Sequence, residues 1–98
     1  AIRPAPDLVF LSVPPDSVPS VLKECAEAEV RACVIISAGF GELGTEEGLE
    51  REASVKRVLD GSGMRVVGPN CLGLINTDHN MNASFAGHMP EKGFISVL

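Results

Sequence analysis

The sequence predicts an α/β fold in which helices connect the strands of a parallel sheet. Four short runs are aliphatic or β-branched, and the first two hardly alternate between polar and apolar residues. Such runs are typical of strands that are buried on both faces. Segments with helical periodicity separate the first three runs. The order strand, helix, strand, helix, strand therefore predicts a parallel sheet with right-handed crossovers.

The apolar runs place the predicted strands at residues 7–13, 32–38, 64–67 and 94–98. Pro14 and Pro15 end the first strand, because proline has no backbone N–H for a sheet ladder. Gly68 and Pro69 close the third strand as a turn signal.

Each predicted helix begins at a residue suited to an N-cap. Asp16 and Ser17 precede the first helix, whose apolar residues follow the spacing of one helical face over residues 18–25. Thr45 precedes the second helix, which is expected to end at Asp60 because glycines follow it.

Residues 70–93 are rich in asparagine and glycine and have no helical period, so they predict a long ordered connection to the fourth strand. Three strands with two crossover helices make about half of a doubly wound sheet, and residues 94–98 stop within a strand. We therefore expect a piece of a larger protein. The alternative is a small complete domain that dimerises through its uncovered apolar surface.

Composition and charge exclude several classes of function. The net charge of −5 argues against nucleic acid as a partner, because such binding needs lysine and arginine. No apolar run approaches the length of a membrane span. Cys25, Cys33 and Cys71 are odd in number and lack CxxC spacing, which argues against disulfides and a zinc site. They favour a reducing compartment, and we predict a cytoplasmic location.

Three loops follow the carboxyl ends of the predicted parallel strands, where open α/β sheets bind their ligands. They cover residues 13–15, 37–42 and 68–73. Glycines in the second and third loops would let the backbone approach a ligand closely. The candidate binding site is therefore this edge of the sheet.

Residues 39–44 spell GxGxxG between a strand and a helix, as dinucleotide-binding sequences do. Glu42, Glu46 and Glu47 surround the start of that helix and would repel a pyrophosphate. The next strand also ends without the acidic residue that holds a ribose. Both observations argue against NAD.

Cys71 lies in a glycine-flanked loop, where it is either a reactive thiol or a residue that lines a ligand or packs. A nucleophilic cysteine usually needs a neighbouring base, and nothing in the sequence brings His79 or His88 to it. The packing or lining role is therefore favoured. The two histidines, without a cluster of other ligands, are also poor evidence for a metal site.

Three phrases carry a family resemblance: DLVFLSVPPDSVPSVLKEC, ACVIISAGFGELG and MRVVGPNCLGLINTDHNMNASFAG. Together they resemble the CoA-binding domain of ADP-forming acyl-CoA synthetases and of the succinyl-CoA ligase alpha subunit. The resemblance implies a partial Rossmann-like three-layer domain. Residues 1–90 would be the C-terminal half of that domain, and residues 91–98 would be the first strand of a flavodoxin-like domain. Ala38 replaces an acidic residue of succinyl-CoA ligases, which favours the acyl-CoA synthetase branch.

The resemblance implies a parent enzyme that interconverts acyl-CoA, ADP and phosphate with the acid, CoA and ATP. Its implied partners are CoA or acyl-CoA and the remainder of the ligase chain or a beta subunit, with a homo-oligomer also compatible. The residues implied to contact coenzyme A are Val13, Pro14, Ser37, Ala38, Gly39, Phe40, Gly41, Pro69, Asn70 and Cys71. Of these, residues 69–71 would lie near the pantetheine arm.

The family's glycine-rich phosphate loop and phosphohistidine segment have no counterpart here. All eight basic residues, among them Arg51, fall outside the three loops. We therefore expect other parts of the parent to handle ATP, ADP and the CoA phosphates, and this chain alone to be inactive as a ligase. The alternative is a non-catalytic module that senses acyl-CoA or a nucleotide, including the CoA-binding-like part of a protein acetyltransferase.

Overall fold

A parallel three-stranded sheet forms the centre of the computed structural model, which describes residues 6–96. Its strands are β1 (Leu8–Leu11), β2 (Ala32–Ile35) and β3 (Arg65–Val67), in the order β1-β2-β3. Both neighbouring pairs are parallel. The predicted parallel sheet is thus confirmed, with all three strands shorter than the apolar runs that indicated them.

Two helices connect these strands at the predicted positions. α1 (Val18–Glu27) follows a short 3₁₀ turn at Pro15–Ser17, and α2 (Glu46–Asp60) follows another at Gly41–Leu43. The predicted cap at Thr45 is confirmed, since its hydroxyl oxygen accepts a hydrogen bond from the Gly48 N–H at 3.1 Å. None of the described helices is long and apolar enough to cross a membrane.

Ser17 occupies the N-cap position of α1, as predicted, but no side chain caps the helix there. Ser17 has helical backbone angles and makes no capping hydrogen bond through its side chain. Its N–H instead donates to the Pro14 carbonyl at 2.9 Å, because the 3₁₀ turn runs directly into the helix. This leaves the Asp16 carboxylate available for a contact with another element.

The core lies where both helices meet the sheet. Leu22 on α1, Ile35 on β2 and Phe40 beyond β2 are fully buried, and Val55 of α2 joins the same cluster. Cys33 is also buried there, and this burial raises the pKa of its thiol to about 12. Cys33 is therefore a packing residue rather than a nucleophile.

Residues 70–93 contain an antiparallel hairpin in place of the strandless connection that the sequence predicted. Its strands are β4 (Gly73–Asn76) and β5 (Met81–Ser84). The Asn76 side-chain oxygen accepts a hydrogen bond from the Asp78 N–H at 3.1 Å, and Asn80 has a φ of 50°. Local asparagine chemistry of this kind closes turns, and it is the signal that the sequence analysis missed.

The predicted fourth strand is absent over residues 94–96, and residues 97–98 of that prediction lie outside the described part of the chain. Phe94 is 99% exposed and Ile95 is 94% exposed. An apolar run forms a strand only when a neighbouring strand pairs with its backbone, and no described strand does so here.

Candidate functional site

Three loops meet at the carboxyl edge of the sheet, because β1, β2 and β3 all run in the same direction. We name them the proline loop (residues 12–16), the glycine loop (residues 36–44) and the GPNC loop (residues 68–72). Each follows the strand that the sequence indicated. The predicted meeting of the three loops at one edge is therefore confirmed.

Ser37 of the glycine loop joins all three loops. Its hydroxyl donates to the Val13 carbonyl at 2.6 Å and accepts from the Val13 N–H at 3.2 Å. Its own carbonyl accepts from the Asn70 N–H at 2.9 Å. The side chain thus extends the hydrogen bonding between β1 and β2 past the ends of the strands. Val13, Ser37 and Asn70, all predicted to contact the ligand, lie together for this reason.

The GPNC loop packs directly on the end of β2. A Cβ at Gly68, which has a φ of +102°, would lie 2.3 Å from the Ile35 carbonyl oxygen, so only glycine fits. The Gly68–Pro69 peptide bond is cis, and Asn70 has a φ of 55°, in the left-handed region that asparagine tolerates. The Cys71 thiol donates to the Ile35 carbonyl oxygen at 3.2 Å.

The structure brings no histidine to Cys71. His79 lies in the turn of the hairpin and His88 lies beyond β5, and both are exposed. The thiol proton is instead directed at a backbone carbonyl. This arrangement supports the packing or lining role of Cys71.

The glycine loop is closed by side chains of the chain itself. The Glu42 carboxylate accepts hydrogen bonds from the Gly39 and Phe40 N–H groups, the latter at 3.0 Å. These hydrogen bonds lower the pKa of Glu42 below its ordinary value, and the bond from Gly39 has the largest effect. On the other side, the Arg51 guanidinium donates to the Gly39 carbonyl at 2.9 Å. Both polar backbone groups of Gly39 are therefore engaged within the protein.

Arg51 also ties the glycine loop to the proline loop. Its Nε donates to the Asp16 carboxylate at 2.7 Å, and its Nη2 donates to the Glu47 carboxylate at 2.8 Å. Gly39 packs against the Pro15 ring, which would lie 3.1 Å from a Cβ at that position. One guanidinium and one proline ring thus hold the two loops together.

Sequence position had placed Arg51 outside the three loops, whereas the fold brings it to Gly39. Its i,i+4 spacing to Glu47, at the start of the helix that follows the loop, is the signal in the sequence. No local pattern in the sequence indicated Asp16, because its contact with Arg51 spans 35 positions.

The predicted contact residues differ in what they offer a ligand. Pro14 and Ala38 are exposed at the loop edge, and Cys71 is half-buried. The Phe40 side chain is fully buried in the core, so only its backbone could reach a ligand, and Glu42 already accepts its N–H. Gly41 has a carboxylate against it, since a Cβ there would lie 2.4 Å from an Oε atom of Glu52.

Negative charge surrounds the proline and glycine loops. An open groove of about 710 Å³ runs beside them between the first turns of α1 and α2, and its lining includes Asp16, Glu46, Glu47 and Glu50. Arg51 also lines this groove, but its guanidinium already contacts two carboxylates. The groove therefore disfavours phosphate groups.

The sequence profile of one protein family, described as a CoA binding domain, matches residues 1–77. The chain belongs to this family. The chain is 46% identical over 92 residues to an ADP-forming acetate–CoA ligase I of Archaeoglobus fulgidus, and this match covers 94% of the chain and 13% of the relative. It is 47% identical over 92 residues to the alpha subunit of ADP-forming acetate–CoA ligase II of Pyrococcus furiosus, covering 94% of the chain and 20% of the subunit.

Solved structures agree with these sequence matches. The crystal structure of PH0766 from Pyrococcus horikoshii superposes with a TM-score of 0.84 at 40% identity, covering 94% of this chain and 21% of that one. An acetyl-coenzyme A synthetase 1 of Ca. Korarchaeum cryptofilum, solved with phosphate and ADP, gives a TM-score of 0.77 at 37% identity and covers 86% of this chain and 18% of that one.

The comparisons confirm the Rossmann-like fold and the resemblance to ADP-forming acyl-CoA synthetases. The chain matches the CoA-binding region of those enzymes and spans between 13% and 21% of the length of the four relatives described above. The regulatory alternative finds no support among them.

Proposed function

We propose that this chain binds CoA at its loop edge, as the CoA-binding region of an ADP-forming acyl-CoA synthetase. The observation that supports this most strongly is the junction at Ser37, which hydrogen-bonds to Val13 in one loop and Asn70 in another. Three of the expected contact residues are thereby held in one place. A preorganised edge of this kind binds a flexible ligand with less loss of entropy than mobile loops would.

The chemistry of the edge suits the pantetheine arm of CoA, which is uncharged and carries amide groups and a thiol. Val13 and Pro14 would line one side of the arm, the exposed backbone at Ala38 would face it, and residues 69–71 would lie along it. Arg51 is the basic side chain at the glycine loop, and it already contacts Asp16 and Glu47. This edge is therefore suited to the neutral arm, and we assign the CoA phosphates to other parts of the parent.

We propose that the parent interconverts acyl-CoA, ADP and phosphate with the acid, CoA and ATP, and that it works in the cytoplasm. Support comes from relatives that bear the name acetate–CoA ligase [ADP-forming], two of which are alpha subunits. Either the remainder of one chain or a separate beta subunit would then complete the enzyme. Within it, residues 1–90 would belong to the CoA-binding domain, and residues 91–98 would begin the next domain.

Calorimetric titration with CoA, pantetheine and NAD tests the proposal. We expect CoA and pantetheine to bind and NAD not to bind, with NMR shift changes at Val13, Ser37 and Asn70 on addition of pantetheine. Ser37→Ala should weaken CoA binding about tenfold, because it removes the hydrogen bonds that join the proline and glycine loops.

Ser20→Ala is the matched control, since Ser20 is exposed and hydrogen-bonds only locally, to the Ser17 carbonyl. Its affinity for CoA should equal that of the unmodified chain. Binding of NAD in preference to CoA, or shift changes confined to residues away from the three loops, would contradict the proposal.

A further inference from the structure

Two backbone N–H groups of the glycine loop converge on one point. They belong to Gly39 and Phe40, and both donate to the same carboxylate. Gly39 reaches this geometry with a φ of +110°. Successive N–H groups arranged in this way form an anion-binding concavity, and in GxGxxG sequences such a loop receives a pyrophosphate. The geometry of a dinucleotide loop is therefore partly present.

The chain itself supplies the anion. Both Glu42 carboxylate oxygens lie within hydrogen-bond distance of the Phe40 N–H, at 3.1 and 3.0 Å, and one of them also accepts from Gly39. Hydrogen bonds from uncharged N–H groups to an ionised carboxylate are stronger than those to a neutral acceptor. A phosphate would have to displace this carboxylate before it could use the same donors.

The surroundings of the loop hold this arrangement in place. Arg51 holds the Gly39 carbonyl from behind at 2.9 Å. The first turn of α2 abuts the loop, because a Cβ at Gly48 would lie 2.2 Å from the Phe40 carbonyl oxygen. Glu52 adds a second carboxylate beside Gly41. These contacts prevent the loop from moving away from an incoming phosphate. The Glu52 carboxylate would also repel it.

We propose that Glu42 is a specificity-determining residue that keeps the diphosphate of a nucleotide out of the glycine loop. It acts by occupying the Gly39 and Phe40 N–H groups with its own carboxylate. This inference goes beyond the proposed function, since it concerns the ligands that the loop rejects. It holds whether or not the edge binds CoA.

Titration of the unmodified chain and of the variant Glu42→Ala with inorganic pyrophosphate and with NAD tests the inference. We expect the variant to bind pyrophosphate at least about tenfold more tightly than the unmodified chain, because two donors become free for a charged acceptor. NAD affinity should rise in the same direction. Glu46→Ala is the matched control: it removes the same charge from the exposed start of α2, where Glu46 makes no described hydrogen bond to the loop.

A pyrophosphate gain in Glu42→Ala no larger than that in Glu46→Ala would overturn the inference, since net charge would then explain it. Hydrogen exchange provides a second measurement that needs no ligand. The Gly39 and Phe40 amides should exchange faster in Glu42→Ala than in the unmodified chain and be unchanged in Glu46→Ala. Equal exchange in all three proteins would show that Glu42 does not occupy these donors.

Discussion

The parallel unit (residues 8–67) and the hairpin segment (residues 73–96) are built on different principles. Every buried hydrophobic residue of the described chain lies in the parallel unit, between Leu11 and Met64. The hairpin segment has no buried residue, and its Phe85 is 70% exposed. Burial therefore determines the structure of the first region, whereas local turns and strand pairing determine that of the second.

The GPNC loop of the candidate site connects these two regions. Its Asn70 and Cys71 hydrogen-bond back to Ser37 and Ile35 of the parallel unit. The hairpin begins only at Gly73. The loop edge is therefore held by the better-packed region, and we expect it to survive changes in the hairpin.

Truncation of one apolar side chain in each region tests the difference in packing. Leu22→Ala should lower the free energy of unfolding by about 2–5 kcal/mol, because Leu22 is fully buried between α1 and the sheet. Phe85→Ala should change it by less than about 0.5 kcal/mol, since the ring is mostly exposed. Urea unfolding of both variants measures the two effects. Similar losses would mean that the hairpin segment shares the core.

A substitution that opens the hairpin should have a smaller effect on the free energy of unfolding than the truncation of Leu22. Gly73 has a φ of +130°, and a Cβ there would lie 2.2 Å from the Ala83 carbonyl oxygen. Gly73→Ala should therefore open the hairpin and speed hydrogen exchange over residues 73–84. The global free energy of unfolding should fall by less than about 1 kcal/mol, because a hairpin without a buried face contributes little.

Gly87→Ala is the control for this substitution, since Gly87 lies in the same region and a Cβ there would meet no atom within 4 Å. Its exchange rates should match those of the unmodified chain. Faster exchange throughout β1 and β2 in Gly73→Ala would instead mean that the two regions unfold together.

The smallest expected effect concerns pH and the glycine loop. Hydrogen bonds from Gly39 and Phe40 lower the pKa of Glu42 below its ordinary value of 4.5. A carboxylate with a lowered pKa in the folded state stabilises the protein above the unfolded pKa, and this contribution is lost as pH falls through the folded pKa. The advantage in melting temperature over Glu42→Gln should therefore be present at neutral pH and shrink once the pH drops below 4.5.

Melting curves of both proteins across this pH range provide the measurement. Other charged groups lie around the loop and are all retained in the variant: Arg51, Asp16, Glu46, Glu47 and Glu52. A gap that stays constant on acidification would mean that the ionised Glu42 carboxylate does not stabilise the fold.

Local sequence patterns were sufficient to predict the parallel α/β unit and the family. The spacing of apolar residues placed Leu22 on the apolar face of α1, where it is buried. Thr45 and the glycines after Asp60 predicted the two ends of α2. These signals depend only on neighbours a few positions away. The GPNCLG phrase likewise led to the CoA-binding domain, which the family match confirmed.

The contacts that join the three loops could not be predicted from such patterns, because they form between residues far apart in the chain. Ser37 meets Val13 across 24 positions, and Arg51 meets Asp16 across 35, distances over which no local pattern operates. The burial of Phe40 could not be predicted from the sequence either. Glycines flank this residue in a loop that was predicted to contact the ligand. Local conformational preferences act over a few residues. Contacts between residues that are distant in the sequence form only when the parallel sheet brings the three loops to one edge.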